Sequence, residues 1–263
     1  MSQLVVTHIG GPTVLLEVGG WRLLTDPTFD PPGRSYRFGW GTGSKKTAGP
    51  ALAPEELGHI DAVLLTHDHH DDNLDQAGRK VLEDVDTVIT TAAGAKRLGG
   101  RTRGLRNWET TTLEGNGRSR IEVIATPCRH GPPLSRPLTG DVIGFALRVE
   151  GGGDGVIWIS GDTVLYPGLR QVADRLEVDV ALLHLGGVQF PVTGPLHYTM
   201  TAKQAVELCG LMKPRLVVPI HYEGWEHFRQ GRDEVEREFA RAPEEIQGRV
   251  RWLGIGATAT LEQ

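Results

Sequence analysis

Residues 66 to 73 read Thr66-His67-Asp68-His69-His70-Asp71-Asp72-Asn73 and directly follow the apolar run Ala62-Val63-Leu64-Leu65. Three histidines and three aspartates within six positions are costly at a strand end unless a cation balances them. A divalent metal does so, because neutral imidazole and carboxylate are its natural ligands. In an extended turn the alternate residues His67, His69 and Asp71 project to one side and are expected to converge on one or two ions. His70 falls between them and reads as a supporting or solvated histidine, with rotation into the site as the alternative.

Three other places repeat this grammar of an apolar run that ends in a potential ligand. Ile121–Thr126 leads to His130, Val156–Ser160 to Asp162, and Leu216–Ile220 to His221. Each alone is an ordinary turn or capping residue, and Asp162 in Gly-Asp-Thr is a good turn former. Strand C-terminal ends are where α/β proteins gather functional groups, so the four together point to one metal site.

The elements that would position these residues are short β-branched runs ended by Gly, Pro or Asp. They span 4–9, 13–18, 21–25, 61–66, 87–91, 121–126, 142–149, 156–160, 178–184 and 215–220. Tight Gly-containing links join the first three as an antiparallel meander, and Gly151-Gly152-Gly153 reads as a hairpin turn. Thr201-Ala-Lys-Gln204 is a capping box opening a helix that Pro214 closes; 74–82 and 233–240 are further helices. Segments 26–54 and 129–141 resist assignment, and loops that long in a compact domain tend to be functional. No linker or charge block divides the chain, so residues 1–263 are expected to form one domain of packed sheets with helices outside.

Composition limits the function. With 28 Lys+Arg against 33 Asp+Glu the net charge is −5, which disfavours nucleic acid as a partner. No run of about 18 apolar residues exists to span a membrane, and the N-terminal residues lack a signal-peptide pattern. Two cysteines, Cys128 and Cys209, make no disulfide framework. A cytoplasmic protein with a small-molecule substrate is expected, and assembly into a homo-oligomer stays open. No GxSxG elbow, P-loop or GxGxxG helix opening competes with the metal reading.

HxHxD, then a lone His, then Gly-Asp after a strand, then a late His resembles the metallo-β-lactamase superfamily. The opening Thr-His-Ile-Gly-Gly-Pro-Thr and the closing Val-Val-Pro-Ile-His-Tyr resemble the branch of L-ascorbate-6-phosphate lactonases and N-acyl-phosphatidylethanolamine phospholipases D. The resemblance covers about residues 4 to 225. It implies an α+β fold, a four-layer αββα sandwich, with a dinuclear site at one edge. By it His67, His69 and His130 match the ligands of a first metal, Asp71 and His221 those of a second, and Asp162 the bridging carboxylate. The family normally has His after the motif Asp, where this chain has Asp72, and the branch has His where this chain has Gly11. Counting Asp72 as a ligand makes the second site richer in oxygen, tilting it from Zn²⁺ towards Mn²⁺ or Fe²⁺.

The implied enzyme is a hydrolase that uses a metal-activated hydroxide on an ester, lactone or phosphoester, with one or two divalent ions. Asp71 and Asp162 would hold the attacking group, and in a mononuclear variant Asp71 or Asp72 would be the general base. The alternative on the same ligands is a non-haem iron redox enzyme. His197 in Pro-Leu-His-Tyr would orient substrate or shuttle a proton, or serve only a turn. Trp40, Arg129 and Tyr222 are the expected substrate contacts; aromatic and arginine side chains near a metal suit a substrate with an apolar part and an anionic group. His184 reads as a satisfied strand-end histidine, and His8, His59 and His227 carry no signal.

Overall fold

A computed structural model describes residues 3–39 and 41–262 of the chain. Strands β1 (Gln3–Gly10), β2 (Thr13–Val18) and β3 (Trp21–Thr25) form the expected antiparallel meander. There follow a hairpin of β4 (Ser35–Gly39) and β5 (Thr42–Lys45), then β6 (Ala62–Leu64), helix α1 (Gln76–Asp84), β7 (Thr87–Thr91), α2 (Ala92–Leu98) and β8 (Thr102–Leu105). The second half runs β9 (Thr110–Leu113), β10 (Ile121–Pro127), a short α3 (Arg136–Thr139), β11 (Ile143–Val149), β12 (Val156–Ile159) and α4 (Pro167–Arg175). It continues with β13 (Val178–His184), α5 (Ala202–Met212), β14 (Leu216–Ile220), α6 (Arg232–Phe239), α7 (Glu244–Gln247) and β15 (Thr258–Glu262). One sheet has the order β15-β1-β2-β3-β6-β7-β8, the other β14-β13-β12-β11-β10-β9.

The side-chain period of two assigns each strand to two layers at once. Val14, Leu16 and Leu23 of the first sheet meet Val123, Phe145, Ile157 and Val218 of the second in one buried core. The intervening residues point outwards. Trp158, Ala181 and Val217 pack beneath Leu169, Leu208 and Phe239 of α4, α5 and α6, while Leu24 and Val63 pack against Leu74 and partly buried Val81 on and before α1. Strands apolar on both faces need cover on both, which is why they read as unbroken hydrophobic runs. The result is the expected four-layer αββα sandwich.

Strand direction then collects the functional residues. β12, β13 and β14 are parallel, and β10 runs with them because both β10 and β12 pair antiparallel with β11. In the other sheet β3 and β6 are parallel. Their C-terminal ends carry Asp26, His67, His130, Asp162, His184 and His221.

The segment 26–54, without a readable pattern in sequence, is organised by one buried ion pair. Asp75 accepts from the backbone N–H groups of Phe29, Asp30 and Gly78 and meets Lys46 Nζ at 2.9 Å. A carboxylate so fully hydrogen-bonded offsets much of its desolvation. Gly78 is required there, since a Cβ would lie 1.8 Å from the Pro27 carbonyl oxygen. Of the aromatics in this segment, Phe29 packs into the core under α1, Tyr36 donates to Asp30 Oδ2 at 2.7 Å, and Phe38 faces the site. Trp40 lies outside the described residues. No helix among the described residues is long and apolar enough to cross a membrane.

Candidate metal centre

Two groups of potential ligands meet at this edge. Nitrogen atoms of His67, His70 and His130 lie within 4.8 Å of one another, and so do ligand atoms of Asp72, Asp162 and His221. Asp162 stands between the groups, one oxygen 3.1 Å from His221 Nδ1 and the other 3.9 Å from His130 Nε2.

The loop after β6 corrects the sequence expectation. His67, His130, Asp162, His221 and Asp72 come together, but His69 and Asp71 do not join them. The backbone after His67 is not extended: the N–H groups of Asn73 and Leu74 both donate to the His70 carbonyl. With this turn His67, His70 and Asp72, three and then two positions apart, face inwards in place of the alternate residues. His69 is turned out, its ring against Gly140, where a Cβ would fall 2.2 Å from it, and its Nδ1 3.6 Å from Asp68 Oδ1. Asp68 is held by a two-pronged contact with Arg97, which outweighs burial and lowers its carboxyl. Asp71 is half-buried, and burial together with Asp72 raises its carboxyl.

The inward imidazoles are oriented by their second nitrogens. His130 Nδ1 donates to the Tyr198 carbonyl at 2.7 Å, which leaves Nε2 bare towards His70 Nδ1, 3.1 Å away. His67 Nδ1 lies 2.9 Å from Thr66 Oγ1, and that hydroxyl donates to Asp26 at 3.0 Å, so the ring nitrogen is the donor and Nε2 is free. Such bonds fix the tautomer that presents a lone pair. Burial pushes His67 well below the usual imidazole range and brings His70 down to about 4. Both rings are therefore neutral bases at physiological pH.

The second group is charged. Burial alone would raise Asp162, but the imidazoles of His221, His130 and His67 outweigh it and hold the carboxyl well below the usual range. Burial is likewise outweighed at Asp72, chiefly by His227. Burial would lower His221, yet Asp162 and Asp72 raise it. His221 has φ +59°, and its N–H donates to the Gly11 carbonyl at 3.1 Å.

The atoms of this edge lack protein partners. His67 Nε2, Asp72 Oδ1, both Asp162 oxygens and both His221 ring nitrogens are buried without a hydrogen bond. Leaving buried polar atoms unpaired costs about 1–3 kcal/mol each, more for charged groups. So many of them facing one point fit one or two divalent cations, with three imidazole nitrogens on one side and carboxylate oxygen on the other.

The other expected residues stand elsewhere. His197 lies within hydrogen-bonding distance of Gln189 Nε2 and the Gly187 carbonyl in its own loop, and it is Tyr198, the next residue, that faces the site. Tyr222 is buried among the side chains under α5 and α6, away from any opening. Arg129 lies over the Tyr166 ring at 4.8 Å and lines a larger cavity of about 630 Å³ with Arg106 and Arg136, which meets the site at His130. Cys128 donates its thiol to the Ser160 carbonyl at 3.0 Å, and burial pushes its pKa well up. His184 is buried behind His221, its Nε2 3.4 Å from Asp26 and its Nδ1 3.4 Å from Ser160 Oγ.

A smaller cavity of about 170 Å³ opens on His70, Asp72 and His130 between Phe38, Phe190 and Tyr198. Among the described residues no Lys or Arg lines it. Sequence reasoning missed Phe190, Tyr198 and His227 here. The first two lie in a segment without periodicity, and His227 follows β14 in a loop where nothing marks it.

A family model described as the beta-lactamase superfamily domain matches residues 21–222. A metal-dependent hydrolase of Caldivirga maquilingensis is 28% identical over 228 residues, 86% of this chain and 85% of its own. Among solved structures, a possible metal-dependent hydrolase from Veillonella parvula superposes with a TM-score of 0.80 at 20% identity, covering 99% of this chain and all of the other. The isothiocyanate hydrolase from Delia radicum gut bacteria gives 0.79 at 20% identity, covering 98% and 99%. The family match, the sandwich and the ligand clusters at its edge agree: the chain belongs to the beta-lactamase superfamily domain family and is a metallohydrolase of the metallo-β-lactamase fold.

Proposed function

We propose that the chain hydrolyses a small, uncharged carbonyl-type substrate, an ester or lactone with an apolar substituent, at a two-ion centre held by His67, His70, His130, Asp72, Asp162 and His221. The observation that carries this reading is the apolar cavity that opens directly on His70, Asp72 and His130. Phe38, Val188, Phe190 and Tyr198 would cover the apolar part and exclude water from it. With no cationic side chain on its described walls, the cavity suits a phosphoester poorly; the arginines line the larger cavity on the far side of His130 and Thr139.

Bound divalent ions would lower the pKa of water and polarise the bond to be cleaved. The residues divide the remaining work. Tyr198 and Thr66 hold the imidazoles of His130 and His67 so that Nε2 faces the centre. Asp162, held ionised, keeps negative charge between the two groups, and Asp72 is the carboxylate that faces the cavity. Of the two carboxylates expected as base, Asp71 or Asp72, it is Asp72 that lines the cavity and would take that role in a one-ion form.

The test is a substrate panel with Zn²⁺- and Mn²⁺-loaded protein: aryl esters, γ-lactones, a phosphodiester and an aryl isothiocyanate as a second neutral electrophile. Faster turnover of esters or lactones than of the phosphodiester is expected. Phosphodiester preference would overturn the uncharged-substrate reading, and substrate-dependent oxygen uptake by Fe²⁺-loaded protein without hydrolysis would favour the redox alternative.

A further inference from the structure

We propose that His227 is a ligand at the carboxylate-rich group, giving the ion that Asp72, Asp162 and His221 would hold a second imidazole nitrogen. The inference rests on the two-ion reading above. His227 lies past residue 222, where the family match ends, and it is buried, its side chain only 2% exposed. Neither ring nitrogen has a hydrogen bond. Nε2 stands 3.0 Å from Asp72 Oδ2, close enough to share a cation, without the alignment of a hydrogen bond. A buried imidazole loses two hydrogen bonds to water on folding; the protein returns at Nε2 only the charge contact with Asp72 and at Nδ1 nothing.

Its surroundings hold the ring rather than satisfy it. The imidazole stacks on Phe190 with centroids 5.6 Å apart and 23° between planes, and Phe38, Trp225 and Phe228 enclose it edge-on or tilted at 4.7–5.9 Å. The loop that carries it is tied to the β4–β5 hairpin: Glu226 N–H donates to the Lys45 carbonyl and His227 N–H to Ser44 Oγ. An aromatic box of this kind fixes the ring plane while leaving only its edge towards Asp72 polar. Such fixing of ring orientation is what a metal-ligating histidine needs. The same box wall, Phe38 and Phe190, lines the substrate cavity, so the ring would link the ion to substrate packing.

The test reads metal binding, not turnover. Apo protein labelled with ¹⁵N in its histidine rings is titrated with Zn²⁺. The second equivalent should move two imidazoles, His221 and His227, out of the free-nitrogen range. If it moves His221 alone, the His227 assignment falls while the two-ion reading stands. A chain that accepts one ion only overturns both. His227→Phe, which keeps a ring in the box, and His227→Gln should each weaken the second Zn²⁺ at least about 10-fold and leave the first unchanged. Two ions at unchanged affinity in both variants would overturn the assignment.

Discussion

The two ligand groups at the sandwich edge differ in how the protein makes them ready for a cation. The His67, His70 and His130 group is prepared by neutrality and orientation: burial lowers His67 and His70, and Thr66 and the Tyr198 carbonyl turn the lone pairs of His67 and His130 inwards. The Asp72, Asp162 and His221 group is prepared by charge. Its carboxylates stay ionised because imidazoles stand beside them, and in return they raise His221. In the first group burial disfavours the proton on His67 and His70; in the second the carboxylates stay ionised and His221 is the ring that holds a proton more readily. A nitrogen-rich site suits Zn²⁺ and an oxygen-richer one suits Mn²⁺ or Fe²⁺, so two ions of different kind are the expected loading.

Asp162 belongs to both groups, and its removal should be the most damaging change. Asp162→Ala is expected to lose the second ion, weaken the first, and lower turnover by at least about 10³-fold, the scale on which transition-state electrostatics are lost. Metal analysis beside kinetics checks it. Retention of two ions and of the rate would mean that the groups are independent.

Acid should separate the groups. Metal ligands must be deprotonated, so protons compete with the ion only below a ligand's pKa. His67 and His70 are lowered, His70 to about 4, so protons compete weakly with the first ion at these two ligands. Asp162 and Asp72 outweigh burial and raise His221, so protons compete with the second ion at a higher pH than they do at His67 and His70. Below its pKa the second-ion affinity should fall about tenfold per pH unit. Zn²⁺ titrations between pH 8 and 5 should therefore show the second ion leaving first; the reverse order would contradict the comparison.

The support behind each group can be cut separately. Thr66→Val removes the hydroxyl that receives His67 Nδ1–H and bonds Asp26, while keeping the side-chain shape. First-ion affinity should drop about 10- to 100-fold with the second unaffected. At the other group, Asp72→His replaces an oxygen ligand by nitrogen and should shift the preference of the second ion towards Zn²⁺, read by competition between Zn²⁺ and Mn²⁺. Unchanged preference would place Asp72 outside the ligand set.

Sequence made the strands legible because both of their faces are buried. The runs 13–18, 21–25, 87–91 and 178–184 coincide with β2, β3, β7 and β13, and the capping box of Thr201 and Gln204 opens α5. The strand-end positions of His130, Asp162 and His221, which gather at one edge of the sandwich, were legible for the same reason. What failed depends on tertiary contacts. The β4–β5 hairpin has no apolar alternation and is held by Asp75, far along the chain, through Lys46. The inward turn at His70 depends on backbone bonds that residue types do not encode. His227 gains its place only because Phe38 and Phe190 arrive from two other segments.

The smallest effect expected is at the residues that the spacing rule selected. His69 and Asp71 carry ligand-type side chains within the richest stretch of the sequence, yet both point away from the groups. His69 rests on Gly140 beside Arg97 and Asp68, so His69→Ala removes a largely surface contact. Asp71→Asn removes a charge near Asp72, which raises Asp71, so the loss slightly relieves repulsion. Each should change stability by no more than about 0.5 kcal/mol. Neither should alter the number of ions bound, and turnover should stay within about twofold, since neither side chain faces the substrate cavity. His67→Ala, His70→Ala and Asp72→Ala measured alongside should each lose an ion. If His69→Ala loses the first ion while His70→Ala keeps it, the spacing of two is right after all. The turn at His70 would then have to open when metal binds.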